Sequence, residues 1–437
     1  MGAQVPTVDP LPPVASAHLP WARSGFQLLR NPTRFFSRHR ARLGDTFLVD
    51  AFGYRLFCLF SPAGVRALYA LPEHSASKGL ADYALLRHKV PEELFSGRRN
   101  LPHDLFARDD TETYLERLEE AVRLQLDELG PSGQFEIFAY GRRLGHRVGL
   151  ASWAGIECAS KRRLDELIPL FDRLDASESF VRPARGFLTW ATGKRREREA
   201  MHAIESVIAE VLQERARSGK AREDMLERIR RSWSDAANVD RSRGVARDII
   251  LIHMSAQSNL FAAMAWTLVD LLLRPELMAR AMQDDAFLEQ CANESIRISQ
   301  RSIVLRAVLR PVEIDDGRRQ YRVAPGVFIA TMVSVTNTTS APCLARYDPS
   351  HYHGRRLAPI PELAAPELVT TFGHGRHSCP AQSFSIAAIR TSLRLLLDRY
   401  RLEPHFAGAL PYVRQLGAVA RAAKPCVVVY HERARPA

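Results

Sequence analysis

The sequence predicts a mainly α protein with small β-sheets. Three observations predict it. Apolar residues recur at helical spacing over most of the 437-residue chain. Val245–Leu273 is an apolar-rich stretch with neither Gly nor Pro. The few runs that alternate or cluster like strands lie near the N-terminus, between 303 and 332, and at the tail.

Taken in order, residues 1–18 are Pro-rich and are expected to be extended, with Leu19-Pro20-Trp21 opening the ordered region. Asn31–Leu43 reads as a helix. Asp45–Val49 and Tyr54–Phe60 read as a hairpin with Gly53 near the turn. An amphipathic helix follows at Tyr114–Leu129, and further helices at 135–152, 161–177, 195–218 and 222–232. Val245–Leu273 is expected to be one helix of roughly 43 Å, long enough to cross a whole domain. Pro275 ends it and opens the next, and Phe287–Ser299 is another. Ile303–Leu309, Tyr321–Val323 and Val327–Met332 read as strands. Ala381–Tyr400 is a helix with Phe384, Ile386, Ile389, Leu393, Leu396 and Leu397 on its apolar side, and Cys426–Tyr430 is a last strand. No internal repeat or low-complexity block divides the chain, which is expected to form one domain over 1–437.

With 46% hydrophobic residues the chain can bury a large core. Its six Cys (58, 158, 291, 343, 379, 426) show no C-x-x-C spacing, which argues against a zinc or disulfide scaffold and fits a reducing compartment. The N-terminal region holds no signal-type apolar run, so the expectation is a cytoplasmic, soluble monomer without a membrane anchor. The net charge of +12 admits nucleic acid or an acidic protein as partner. Its Arg and Lys stand beside Glu and Asp along helices, as in Lys194–Glu199, which reads as a solvated face, and no nucleic-acid-binding motif is present.

The richest segment is Phe372-Gly373-His374-Gly375-Arg376-His377-Ser378-Cys379-Pro380-Ala381. Gly373 and Gly375 permit a tight turn. Cys379 stands just before a helix, where backbone N–H groups and the helix dipole favour a thiolate. Pro380 is expected in the first helical turn, where its missing N–H costs little. Phe372 can pack against the sulfur and limit its access to water. This segment resembles the haem-binding signature of the cytochrome P450 family, Phe-x-x-Gly-x-x-x-Cys-x-Gly/Ala. The resemblance implies the cytochrome P450 fold, a triangular helical prism with haem b between the long central helix and the Cys loop. It makes Cys379 the axial thiolate on the iron, which pushes electron density toward the metal.

Other segments fit the same family in order. Glu294-Ser295-Ile296-Arg297 is an E-x-x-R whose i,i+3 pair shares one helix face. In the family such a pair is buried and completed by an Arg from a later loop. Tyr347–Leu357 resembles that loop, with Arg356 expected as the third member, although Gly354 replaces the usual Pro and Arg355 could compete. Arg306 stands where family members often place a propionate-binding Arg, and His377 can join it. A third propionate donor is not evident; His103 and Arg108 are the candidates. On the distal side the family usually has an acid–alcohol pair that relays protons to bound dioxygen. The equivalent here is Ser255-Ala256-Gln257-Ser258-Asn259, with Ser258 for the acid, Asn259 for the Thr, and small Ser255 and Ala256 leaving room for haem and ligand. An amide can donate a hydrogen bond to bound oxygen but is no proton source near neutral pH. This pattern, followed by Trp266, resembles cholesterol 7α-hydroxylase, sterol 12α-hydroxylase and prostacyclin synthase.

Three functions are therefore weighed. The first is a haem-thiolate monooxygenase that oxidises an apolar small molecule (terpenoid, sterol or polyketide-like, as in secondary metabolism) with dioxygen and electrons from a separate acidic ferredoxin or flavodoxin. Arg376, Arg390 and Arg394 could form part of a basic docking face for that carrier. The second, raised by Asn259, is a reductant-independent haem-thiolate isomerase or dehydratase acting on a peroxide or oxygenated substrate. The third, from net charge alone, is a nucleic-acid-binding protein. The resemblance places substrate loops in 60–110, 165–195, 303–310 and near Gly417–Val419; Phe171, Phe180, Phe187, Trp190, Val304 and Leu305 are candidate lining residues.

Overall fold

The computed structural model describes residues 7–15, 22–100, 111–175, 189–219, 224–257 and 259–434. The helices form where caps and apolar periodicity agree. The first two are α1 (Gly25–Arg30) and α2 (Pro32–Leu43); Asn31 Oδ1 accepts from the Arg34 N–H at 3.0 Å and Pro32 takes the first helical turn. Two short helices escape a periodicity reading but carry a cap signature. They are α3 (Pro62–Ala70) and α4 (Lys78–Leu86), capped by Ser61 and Ser77. Then come α5 (Thr111–Asp127), α6 (Ile137–Trp153), α7 (Lys161–Leu174), α8 (Arg195–Ser218) and α9 (Met225–Ser232), close to their expected bounds.

The central stretch differs from expectation. Helix α10 (Asn238–Gln257) ends and α11 (Leu260–Leu272) begins across Asn259. Asn259 itself supplies the reason. Its backbone N–H goes to the Ala256 carbonyl at 3.0 Å, and its side-chain Nδ2 takes the Ser255 carbonyl at 3.1 Å. A side chain competing for an i−4 carbonyl interrupts the helical ladder. By length and composition Asp240–Leu272 could cross a membrane, yet most of its apolar window is buried within the molecule, as a core helix requires. Beyond it lie α12 (Pro275–Ala281), α13 (Asp285–Ser299), α14 (Val333–Thr339) and α15 (Gln382–Arg399).

One large apolar cluster joins α5–α13 and α15. Close helix approach in it depends on glycine: a Cβ on Gly145 of α6 would lie 1.9 Å from the Phe261 ring of α11. Smaller clusters lie around the sheets.

The strands are β1 (Val8–Asp9), β2 (Thr46–Ala51), β3 (Tyr54–Leu59), β4 (Ala76–Ser77), β5 (Ser132–Glu136), β6 (Ile303–Val308), β7 (Val312–Asp315), β8 (Gln320–Val323), β9 (Phe328–Met332), β10 (Tyr352–His353), β11 (Arg356–Leu357), β12 (Tyr400–Pro404) and β13 (Val427–Glu432). The largest sheet has the order β2-β3-β9-β6-β4, so β6, which carries Arg306, is held between two neighbours. A second sheet runs β1-β8-β7, a third β12-β13-β5, and β10 pairs with β11. The expected helix from 135 thus begins as a strand: Phe135 pairs with Val428, and α6 starts at Ile137.

Candidate active site

The Cys loop is built by backbone hydrogen bonds. The Cys379 N–H donates to the Phe372 carbonyl at 2.7 Å, which folds the loop back on itself. Thr370 Oγ1 accepts from the Gly373 N–H at 2.6 Å, and Gly375–His377 makes one 3-10 turn. Gly373 has φ +81°, and a Cβ there would meet the His377 carbonyl oxygen at 2.7 Å. Phe372 packs against the margin of the main core. Pro380 lies ahead of α15 rather than in its first turn, since Ala381 is the N-cap. Burial pushes the Cys379 thiol above its ordinary value; the Ala381 N–H, donating to sulfur, and the charge of Lys78 pull it back.

Beside the loop, β6 presents Arg306, which is 0% exposed. One guanidinium nitrogen, Nη1, donates to His377 Nε2 at 2.6 Å and to Glu73 Oε2 at 3.2 Å. A guanidinium can only donate, so His377 Nε2 accepts and its Nδ1 carries the proton. Burial, and then the Arg306 charge, holds the His377 pKa below its ordinary value. Arg306 Nε and Nη2 are buried with no hydrogen-bond partner among the described residues. Two unsatisfied donors of a buried cation, next to a histidine N–H, fit an anionic group such as a carboxylate. A lone cysteine beside them fits a metal that brings its other ligands with it, because no cluster of three or more His, Cys, Asp or Glu among the described residues could hold an ion alone. The donor set therefore fits a haem. Sequence reading missed Glu73 and Lys78; the capping Ser77 between them was the available signal.

Behind the loop, Glu294 and Arg297 are both 0% exposed and pair through two bonds of 2.6 and 2.7 Å. Arg297 also donates to the carbonyls of Asn337, of Leu344 at 2.8 Å and of Arg346 at 3.0 Å. Arg356 is not the third member. It is exposed on β11, whereas His351 Nδ1 lies 3.0 Å from Glu294 Oε1, which also accepts from the Asp348 N–H at 2.8 Å. The physical reason is the turn: Asp348 caps Pro349–His351, which points His351 inward and leaves the following hairpin at the surface. Arg355 is drawn to Glu289 at 3.2 Å. Asn337, also missed, ties this layer to the loop: its Nδ2 donates to the Arg297 and Thr370 carbonyls and its Oδ1 accepts from the Thr370 N–H.

A cleft of about 320 Å³ opens on α10. Leu251, Met254, Ser255 and Asn259 form one wall; Leu85, Leu86, Phe95, Ile303 and Leu416–Ala418 face them, with Asp82, Asp175 and Ser302 as the remaining polar groups. Ala256 does not line it; it packs toward the main core. Ser258, His103, Arg108, Phe180, Phe187 and Trp21 lie outside the described residues. Phe171 is core, Leu305 and Val304 pack into the sheet clusters, and Trp190 is exposed, so none of these lines the cleft. Each of the four expected segments contributes all the same: 60–110 through Asp82, Leu85, Leu86 and Phe95, 165–195 through Asp175, 303–310 through Ile303, and 417–419 through Gly417 and Ala418.

The expected basic face is largely spent on internal pairs. Arg390 bonds Glu289 at 3.0 Å and Arg394 bonds Asp285 at 2.5 Å, leaving Arg376 exposed.

No family model matches the chain. It is similar to the 24-hydroxycholesterol 7-alpha-hydroxylase of Homo sapiens, 20% identical over 434 residues, which covers 89% of this chain and 87% of that protein. It is similar to the sterol 14-demethylase of Arabidopsis thaliana, 22% identical over 426 residues, covering 90% and 86%. A cytochrome P450 monooxygenase of Aspergillus violaceofuscus, pyvB, is 21% identical over 416 residues, covering 89% and 83%.

Proposed function

We propose that this chain, a cytochrome P450 monooxygenase like the relatives it is similar to, oxidises an apolar, hydroxyl-bearing small molecule of the sterol or terpenoid kind. Haem b would be its cofactor, held through the Cys379 thiolate, and a separate acidic ferredoxin or flavodoxin would be its electron source. The observation that carries the reading is the Cys379 loop set against the buried, unsatisfied donors of Arg306.

When bound, haem would supply redox iron for monooxygenase chemistry, which consumes dioxygen, two electrons and two protons and yields oxidised substrate and water. The chain does the rest. Arg306 and His377 would hold the haem carboxylates, with Lys78, whose charge acts on both His377 and Cys379, as the proposed third donor. The Ala381 N–H supports the thiolate. Glu294, Arg297, His351 and Asn337 fix the layer on which the loop rests. The cleft, of a size that suits small-molecule ligands, excludes water with aliphatic side chains and offers Asp82, Ser255 and Asn259 to a substrate hydroxyl. The names of the relatives support a sterol-like skeleton.

The test is oxygen uptake by the reconstituted enzyme with a ferredoxin system, after a spectral titration against sterols and terpenoids. Uptake that tracks product and needs reductant supports the reading. Turnover of hydroperoxides without reductant, and no oxygen uptake with it, would replace it by the isomerase that Asn259 also admits.

A further inference from the structure

A second cavity of about 200 Å³ lies between α6, α7 and the α10–α11 junction. Its polar lining includes His146, Asp172, Asp175 and Gln257. Two of these carry buried atoms with no hydrogen-bond partner among the described residues: His146 Nε2 and Gln257 Oε1. The protonation of His146 follows from its neighbours. The Trp153 indole N–H can only donate, and it points at His253 Nδ1 at 3.2 Å. His253 Nδ1 is then the acceptor and its Nε2 carries the proton, which it donates to His146 Nδ1 at 2.7 Å. His146 is left with its proton on Nε2, facing the cavity. Both rings are neutral, since burial holds each pKa well below the ordinary histidine value.

The cavity thus offers one unsatisfied donor and one unsatisfied acceptor. It is large enough to hold water, and polar cavities fill where apolar ones stay dry. Asp172 sits at its mouth with 36% of its side chain exposed and is paired with Arg142. Asp175, 9% exposed and paired with Arg421 at 2.8 Å, lines both this cavity and the substrate cleft. Gln257 is on the last turn of α10, next to the break that Asn259 makes.

We propose that His146 and Gln257 position water in this cavity that carries protons from solvent at Asp172, by way of Asp175, to the substrate cleft, in place of the acid that the central helix lacks. The proposal rests on the monooxygenase reading, which consumes two protons per dioxygen. Each proton delivered at the cleft is replaced by one from bulk water at Asp172, so the relay itself is unchanged after turnover. His146 and Gln257 are positioning residues; neither lines the cleft.

The test has two parts. A crystal structure of the wild-type holoprotein should show water within hydrogen-bond reach of both His146 Nε2 and Gln257 Oε1. In turnover with a ferredoxin system, Gln257→Leu should raise the share of electrons lost as hydrogen peroxide about fivefold and enlarge the solvent deuterium isotope effect, with substrate Kd within twofold. Gln257→Glu, which keeps the shape and adds an acid, should hold the peroxide share at or below that of wild type, and it serves if the Leu variant does not fold. A dry cavity, or the same peroxide share in all three proteins, overturns the relay. A wild-type protein without a thiolate-type carbon monoxide spectrum would indict the functional reading instead, since the water is seen independently of turnover.

Discussion

Glu294 accepts from Arg297, His351 and the Asp348 N–H while shut off from solvent. Removing its charge strands a buried guanidinium, a loss of about 3–5 kcal/mol. Glu294→Gln should therefore lower the urea midpoint severely, whereas Arg356→Ala should change stability by about 0.5 kcal/mol or less. Asp270 gives a pH signature. Burial raises its pKa to about 6, against the pull of Ser295 and Arg274. A carboxyl whose folded pKa lies above its unfolded one stabilises the protein when protonated, and that contribution is lost as pH rises from about 4 through 6. Asp270→Asn should accordingly gain on wild type by about 2–3 kcal/mol between pH 4 and 7 in thermal denaturation, then stay level. At this scale the sequence was partly legible. Cys379, Glu294 and Arg297 stand in motifs whose spacing is their geometry. His351 was hidden because the choice between it and Arg356 depends on how one capped turn aims its side chains. Glu73 and Asn337 meet their partners only across distant parts of the chain, at which no local pattern hints.

Among the elements, the Cys loop should be the most sensitive to backbone change. Gly373→Ala forces a left-handed φ and a contact with the His377 carbonyl, a strain of about 1–3 kcal/mol. Gly375→Ala, at φ +60° with open space around it, should cost about 1–2 kcal/mol. The check is haem retention on gel filtration together with the melting temperature, which Gly373→Ala should lower more. The long helices could be read from periodicity because one apolar face persists for several turns. The short α3 and α4 could not, though their Ser caps announce them. The break at Asn259 has a local cause, an amide able to bond its own i−4 carbonyl, but periodicity averages over a single residue and does not register it.

For the whole molecule, a main helical core and a five-stranded sheet carry the site: Arg306 of β6 meets His377 of the Cys loop, and Ile303 of the same strand lines the cleft. The expected class, mainly α with small sheets, needed nothing beyond periodicity and the clustering of strand-like runs. Sheet order was out of reach, because β3 and β4 pair with β9 and β6, which lie far along the chain from them. The net charge of +12 also misled locally: Arg390 and Arg394 are held by acidic partners rather than free for docking. The central claim is that Cys379 binds haem iron as a thiolate. The reduced carbon monoxide difference spectrum of the reconstituted protein tests it most directly. The thiolate-type Soret band should appear in wild type and in Cys343→Ser, and vanish in Cys379→Ser. A wild-type spectrum of the histidine-ligated type, or a thiolate band that survives Cys379→Ser, would contradict it.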